Sequence, residues 1–125
     1  MLKKNTYFLL AILWTLLVTV LSLITISSSV GSFIPFQNKD KYVHFTFYFV
    51  FVVLWFLYIE SKNINPKTKY KILVASIGYG ILMEICQGIF TISRTPDIFD
   101  VLANSAGAIL GILFISFIKR NKAAQ

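Results

Sequence analysis

Several polar residues in the long apolar runs of this sequence could transfer protons or bind ions. They are His44, Glu84, Asp100 and Asn104, with Asp97 just ahead of the last run. Ionisable groups in membrane-like apolar segments are costly and rare, so each is a functional candidate. Histidine and carboxylate side chains can act as general acid or base when burial tunes them toward neutrality. Acid–base chemistry on a polar group is therefore the chemistry that these residue types favour.

The spacing of these residues predicts three polar helix stripes. Asp97, Asp100 and Asn104 are related as i, i+3 and i+7, which places them on one helix face. Two further stripes have helical spacing, Gly80 with Glu84 and Gln87, and Lys41 with His44 and Tyr48. If the three helices pack together, these stripes can converge on one polar pocket.

The elements that carry the stripes are membrane-spanning helices. The chain is 57% hydrophobic and 14% charged, whereas soluble domains carry about 25% charged residues. Apolar runs at approximately 6–26, 42–60, 70–92 and 97–118 are each long enough to cross a bilayer. The first run is too long for a signal peptide and is expected to remain uncleaved. We predict an all-α polytopic protein, a compact bundle of four transmembrane helices forming a single membrane domain over residues 1–125.

The distribution of basic residues predicts the orientation of the bundle. Nine of the 12 lysines and arginines precede the first run, flank the second connection or follow the fourth run. The other three are Lys39, Lys41 and Arg94, in or beside the first and third connections. By the positive-inside rule, both termini and the second connection are expected in the cytoplasm. The net charge of +7 is thus explained by orientation and anionic headgroups, and no nucleic-acid partner is predicted.

The candidate residues fall at similar depth in this arrangement. Glu84 is 13 residues beyond Lys71, which is about 20 Å from the inner edge. Asn104 is seven residues beyond Asp97, about 10 Å from the outer edge. His44 is about one turn into its span. The polar stripes are therefore expected to form a pocket in the outer half of the membrane, beneath Arg94 in the short third connection.

Each candidate has a functional and a structural interpretation. The predicted catalytic residues are His44, Glu84 and Asp100. The predicted substrate-binding residues are Lys41, Gln87, Arg94, Asp97 and Asn104. Structurally, the histidine could be a hydrogen-bonded core residue, the glutamate a polar clasp, and the arginine an interfacial anchor. The acidic and amide groups of the fourth span could simply bond its first turn, where a carboxylate suits the positive helix end.

Metal and cofactor sites are not predicted. Residues His44, Glu84, Asp97 and Asp100 have ligand types that could hold a divalent ion. Their spacing matches no recognised metal motif, and Cys86 is the only cysteine, which excludes a multi-cysteine site. No cofactor is predicted either.

The fourth span also contains a small-xxx-small pair, Gly107 and Gly111. Glycines four residues apart let two helices approach closely, either within one chain or between copies. Close packing inside the bundle is the simpler interpretation. A homo-oligomer that uses this face is the alternative.

The motifs together resemble the VanZ-like family of small bacterial membrane proteins. From Asp40 the chain reads Asp-Lys-Tyr-Val-His, and from Glu84 it reads Glu-Ile-Cys-Gln. Arg94 is followed by Asp97, Asp100, Asn104 and the two glycines. The resemblance covers roughly residues 35–118. The resemblance implies a bacterial inner-membrane protein. The founding member of the family is associated with low-level resistance to the glycopeptide teicoplanin.

Three functions are compatible with the residues and the resemblance. The first is an enzyme acting on an envelope lipid or a lipid-linked cell-wall precursor at the outer face. The second is a non-catalytic protein that binds such a lipid headgroup. The third is a structural or partner-binding protein whose polar residues clasp the helices. The sequence leaves open whether the protein is an enzyme, which substrate it takes and whether it is monomeric.

Overall fold

The computed structural model describes residues 4–24, 39–61, 67–92 and 95–123. They form four α-helices, which we number in chain order. Helix α1 is Lys4–Leu23, α2 is Lys39–Glu60, α3 is Thr68–Phe90 and α4 is Ile98–Ala123. All four are long and apolar enough to cross a membrane. The predicted all-α bundle of four transmembrane helices is confirmed.

The outer surface of the bundle is apolar, as a lipid environment requires. Large side chains such as Leu9, Val74, Phe90 and Leu113 are more than half exposed. A spanning helix satisfies its backbone hydrogen bonds internally, so it can present apolar side chains to lipid on one side and to its neighbours on the other. The buried core is correspondingly small, and its buried members are Val18, Tyr48, Val52, Ile72, Ala108 and Ile112.

The closest helix pair is α2 with α4, and glycine makes this approach possible. A Cβ atom built on Gly107 would lie 2.2 Å from the backbone oxygen of Phe45. One built on Gly111 would lie 2.6 Å from Val52 Cγ1 and 2.8 Å from the Phe49 oxygen. The small-xxx-small face therefore packs inside the chain. This packing accounts for the motif without a second copy, and homo-oligomer formation stays a prediction.

Polar contacts attach α1 to the rest of the bundle. The indole N–H of Trp14 donates to the backbone oxygen of Phe47 in α2 at 2.9 Å. The hydroxyls of Thr19 and Tyr79 in α3 are 2.6 Å apart. In lipid there is no hydrophobic driving force for helix association. Interhelical hydrogen bonds such as these and close packing therefore hold the helices together.

One aromatic side chain of α2 lies in the buried core. Tyr48 is only 1% exposed. Its ring lies 6.0 Å from that of Tyr79, and Phe51 stacks on the same Tyr79 ring at 5.4 Å.

An apolar cavity of about 430 Å³ lies between α2 and α3, lined by residues such as Trp55 and Lys71. The cavity is toward the end of α2 and the start of α3.

Candidate functional site

The candidate residues meet at one end of the bundle, where α2 begins, α3 ends and α4 begins. His44 is 5% exposed, Glu84 3%, Asp100 8% and Asn104 1%. Asp100 lies in the first turn of α4, and the other three residues lie one to two turns from the nearer end of their helices, at about 3.6 residues per turn. The three helices thus bring together side chains that are as many as 60 residues apart in the sequence. We call these four residues the polar cluster.

A hydrogen bond between His44 and Asn104 fixes the orientation of the imidazole. His44 Nδ1 lies 3.1 Å from Asn104 Oδ1. An amide oxygen can only accept, so Nδ1 carries the proton and donates it. The other ring nitrogen, Nε2, points toward Asp100 Oδ2 at 3.8 Å. In a neutral ring, Nε2 therefore presents a lone pair to a carboxylate.

The Glu84 carboxylate is only half satisfied. Its Oε2 accepts the backbone N–H of Asp97 at 3.3 Å, which links the end of α3 to the start of α4. Its Oε1 is buried without a hydrogen-bond partner in the part of the chain that the structure describes, and His44 Nδ1 lies 3.7 Å from it. An unpaired buried carboxylate oxygen is costly in an apolar setting. A purely structural role for Glu84 therefore does not account for Oε1.

Lys41 lies next to the polar cluster, toward the start of α2, and contacts three carboxylates. Its amino group is 2.8 Å from Asp97 Oδ2 and 2.8 Å from Asp100 Oδ1, and 3.1 Å from Asp40 Oδ2. The sequence predicted Lys41 as a substrate-binding residue. In the structure its charge is shared among three carboxylates, so it acts within the described residues as the counter-ion of the acidic side chains.

Asp97 stabilises the start of α4 through two of its oxygen atoms, the backbone oxygen and Oδ1. Its backbone oxygen accepts from the N–H groups of Asp100 and Val101, and Oδ1 accepts from Phe99 N at 2.8 Å. This is the geometry of a helix N-cap. Lys41 and, after it, the Phe99 N–H hold the pKa of the Asp97 carboxyl below its usual value. Asp97 is therefore the N-cap residue that immediately precedes α4.

Two predicted contacts are not placed in the polar cluster. Gln87 is buried, and its Nε2 donates to the backbone oxygen of Ser22 at 2.9 Å, so its amide joins α3 to α1. Arg94 lies outside the described residues. The structure thus brings together Lys41, His44, Glu84, Asp97, Asp100 and Asn104.

Two residues at the polar cluster were not among the predicted site residues. They are Tyr48 and Gly80. The Tyr48 hydroxyl, like Asn104 Nδ2, is buried without a hydrogen-bond partner among the residues that the structure describes. A Cβ atom on Gly80 would lie 3.2 Å from both Asn104 and the Tyr48 ring, so this glycine makes room for them. Tyr48 and Gly80 each lie one helical turn from His44 or Glu84 on the same stripe, which is the signal that identifies them.

The chemistry available to this arrangement is that of a buried acidic site with an oriented imidazole. Glu84 Oε1 and His44 Nε2 can accept a proton or bind a cation, and Asn104 Nδ2 can donate a hydrogen bond. Among the described residues, Lys41 contacts the carboxylates of Asp40, Asp97 and Asp100, and the fourth carboxylate, that of Glu84, lies 3.7 Å from His44 Nδ1. The site therefore favours a positive or hydrogen-donating ligand group over a bare anion.

Comparison with known proteins gives a family match over nearly the whole chain. The model of the VanZ/LLP1 family matches residues 6–119. The chain is also similar to a Schizosaccharomyces pombe protein described as "Uncharacterized protein C11E3.10", with 34% identity over 80 residues. That similarity covers 64% of this chain and 48% of the relative, so the chain spans about half the length of the curated relative that it matches. No solved structure matches significantly. Because this relative is eukaryotic, similarity alone does not restrict the chain to a bacterial membrane.

Proposed function

The chain belongs to the VanZ/LLP1 family, and from this premise we propose that it binds or acts on a lipid headgroup at one membrane surface. The headgroup would be that of an envelope lipid or a lipid-linked cell-wall precursor. A contribution to glycopeptide resistance of the teicoplanin type is the physiological role that the family resemblance suggests.

The observation that carries this proposal is the unsatisfied polar cluster. Buried polar groups are normally hydrogen-bonded, yet Glu84 Oε1, Asn104 Nδ2 and the Tyr48 hydroxyl have no hydrogen-bond partner among the described residues. One is an acceptor, one a donor and one can be either. A ligand that offers both donors and acceptors, such as a hydroxylated headgroup, would satisfy all three.

The same residues suggest how a bound headgroup would be handled. The lone pair on His44 Nε2 and the free oxygen of Glu84 are potential proton acceptors for a headgroup hydroxyl. Asn104 orients the imidazole through the hydrogen bond to Nδ1, and Asp100 lies beside Nε2. Where the headgroup carries a phosphate, we propose that Arg94 contacts it, because the amino group of Lys41 already bonds carboxylates.

We place the polar cluster on the outer face of a bacterial inner membrane, with both termini in the cytoplasm. The asymmetry of the basic residues supports this orientation, and the family resemblance supports the bacterial membrane. A reporter that is active only outside the cytoplasm, fused after Gln125, is expected to be inactive. The same reporter inserted between Pro35 and Phe36, in the first connection, should be active. The reverse pattern would put the polar cluster on the cytoplasmic side and contradict an external substrate.

Lipid identification tests the proposed function directly. The protein purified in mild detergent from its native membrane is expected to carry one lipid class enriched over the bulk membrane, detected by mass spectrometry. The Glu84→Gln variant should lose that enrichment, because it removes the charge and half of the acceptor capacity at the buried site. Retention of a modified lipid by the wild type alone would indicate catalysis.

Glu60→Gln is the matched control for this experiment. It makes the same chemical change at the far end of α2, where Glu60 pairs with Lys119. Its lipid content should equal that of the wild type. Identical, unenriched lipid in all three proteins would contradict the proposed function.

A structural clasp is the second candidate, and particular contacts favour it. The bond from His44 to Asn104 joins α2 to α4, and the bond from Gln87 to Ser22 joins α3 to α1. On this interpretation, Glu84→Gln would lower the thermal stability in detergent while the bound lipid stayed unchanged. Loss of lipid at unchanged stability would instead support the headgroup site.

A further inference from the structure

Three metal-ligating side chains converge inside the polar cluster. His44, Glu84 and Asp100 each offer one donor atom, and these atoms lie within 4.8 Å of one another. They come from α2, α3 and α4, so the fold and not local sequence brings them together. All three residues are more than nine-tenths buried. Carboxylates and imidazole so enclosed must be paired, neutralised or bound to a cation.

The separations of the donor atoms fit a shared ion better than direct bonds. His44 Nδ1 is 3.7 Å from Glu84 Oε1, and His44 Nε2 is 3.8 Å from Asp100 Oδ2. Hydrogen bonds between nitrogen and oxygen are about 2.9 Å long, so neither pair is directly bonded. Ligand atoms about 2.1 Å from a common ion lie about 3.0 to 3.4 Å apart at octahedral or tetrahedral angles. Only Nε2 of the imidazole is free to coordinate, because Nδ1 donates to Asn104. One donor atom from each of the three residues lies within 4.8 Å of the others, so the side chains would move inward to reach these distances when the ion binds.

The unpartnered oxygen of Glu84 points independently to a ligand. Oε1 is buried and accepts no hydrogen bond from residues 4–24, 39–61, 67–92 or 95–123, whereas Oε2 of the same carboxylate accepts the backbone N–H of Asp97. The amino group of Lys41 reaches Asp100 Oδ1 and leaves Oδ2 to face His44. One oxygen of each carboxylate is thus directed inward, with no described lysine or arginine bonded to it.

The hydrogen bond on the imidazole completes the pattern of a metal ligand. Ligating histidines usually donate the N–H that does not face the metal to a carbonyl or carboxylate oxygen, which fixes the tautomer. His44 Nδ1 donates to Asn104 Oδ1 and leaves Nε2 free to coordinate. Asn104 is in this respect a positioning residue.

We propose that His44, Glu84 and Asp100 bind one divalent first-row transition-metal ion, of the Mn²⁺ or Zn²⁺ class. One imidazole with two carboxylates suits these ions better than Ca²⁺ or Mg²⁺, which prefer all-oxygen sites. Three protein ligands leave coordination positions open for water or a substrate oxygen. Binding of the ion requires no lipid, so the proposal stands apart from the headgroup function.

Mn²⁺ binding to the metal-stripped full chain in detergent tests the proposal. We expect saturable binding of one Mn²⁺ per chain, measured by electron paramagnetic resonance as loss of the free-ion signal. Pulsed measurements on the bound ion should detect coupling to a histidine nitrogen, and His44 is the only histidine. Zn²⁺ should compete for the same site.

Isosteric variants separate this site from other acidic groups. Glu84→Gln should weaken Mn²⁺ binding at least about 100-fold, since loss of even an outer-shell partner can cost that much. His44→Gln should abolish the nitrogen coupling. Glu60→Gln makes the same chemical change at the far end of α2, where Glu60 pairs with Lys119, and should leave the affinity unchanged. The absence of saturable binding in the wild type, or binding that Glu84→Gln does not weaken, would overturn the proposal.

Discussion

Gly107→Ala is expected to lower the free energy of unfolding by about 3 kcal/mol, near the upper end of the usual overpacking range. The added methyl group would lie 2.2 Å from the Phe45 backbone oxygen and 3.1 Å from the Phe49 nitrogen. A backbone atom cannot move aside as a flexible side chain can, so α2 and α4 would have to separate. The measurement is the thermal denaturation midpoint in detergent, together with the yield of folded protein.

Gly78→Ala provides the control for this substitution. Gly78 lies in α3, and a Cβ atom built there meets nothing within 4 Å. Alanine is favoured over glycine in a helix interior by up to about 1 kcal/mol, so this variant should be as stable as the wild type or slightly more stable. Equal stability of Gly107→Ala and Gly78→Ala would contradict the close packing of α2 on α4.

Separation of α2 from α4 would also open the polar cluster. His44 is in the same helix turn as Phe45, and its partner Asn104 is one turn before Gly107. The Gly107→Ala protein should therefore bind Mn²⁺ more weakly even where it remains folded. A folded variant with unchanged metal affinity would show that the site does not depend on this helix contact.

Lys41→Met is the second substitution with a large expected effect. It leaves Asp97 and Asp100 facing one another without the cation that bonds both at 2.8 Å. Removing one partner of a fully buried ion pair costs about 3–5 kcal/mol. Because the Lys41 side chain is 25% exposed, solvent reduces this cost, and we expect about 1–2 kcal/mol. Lys71→Met, which removes an exposed lysine at the other end of the bundle, should have little effect on stability.

A double-mutant cycle shows whether the loss comes from the ion pair itself. In an Asp100→Asn background, Lys41→Met should cost less than in the wild type, because one of the two stranded charges is already absent. Additive effects of the two substitutions would mean that Lys41 stabilises the protein by packing its aliphatic stem. Thermal denaturation of the four proteins under identical detergent conditions gives the comparison.

The helices and their polar stripes follow from local sequence. Apolar runs of about 20 residues must be helical in a bilayer, because no other single segment satisfies its own backbone there. The 3.6-residue period then puts Asp97, Asp100 and Asn104 on one face without reference to any other helix. The shared depth of His44 and Glu84 could likewise be predicted from their distance to the helix ends, because each residue advances a helix by about 1.5 Å.

Individual partners could not be predicted in this way. Gln87 follows Glu84 on one stripe of α3, yet its amide bonds Ser22 of α1, because α1 covers that part of the stripe. Lys41 suggested an anion site by its charge, but the start of α4 brings two carboxylates to it. Periodicity fixes which face of a helix is polar and does not specify which neighbour meets that face.

The sequence by itself determined a four-helix membrane protein with a concentration of polar groups near one membrane surface. Only the tertiary structure decided that His44, Glu84 and Asp100 present donor atoms within 4.8 Å of one another. That distance depends on the rotation of each helix about its axis and on the close approach of α2 and α4 that Gly107 permits. Both are set by side-chain packing between helices, a non-local property that neither run length nor residue spacing contains.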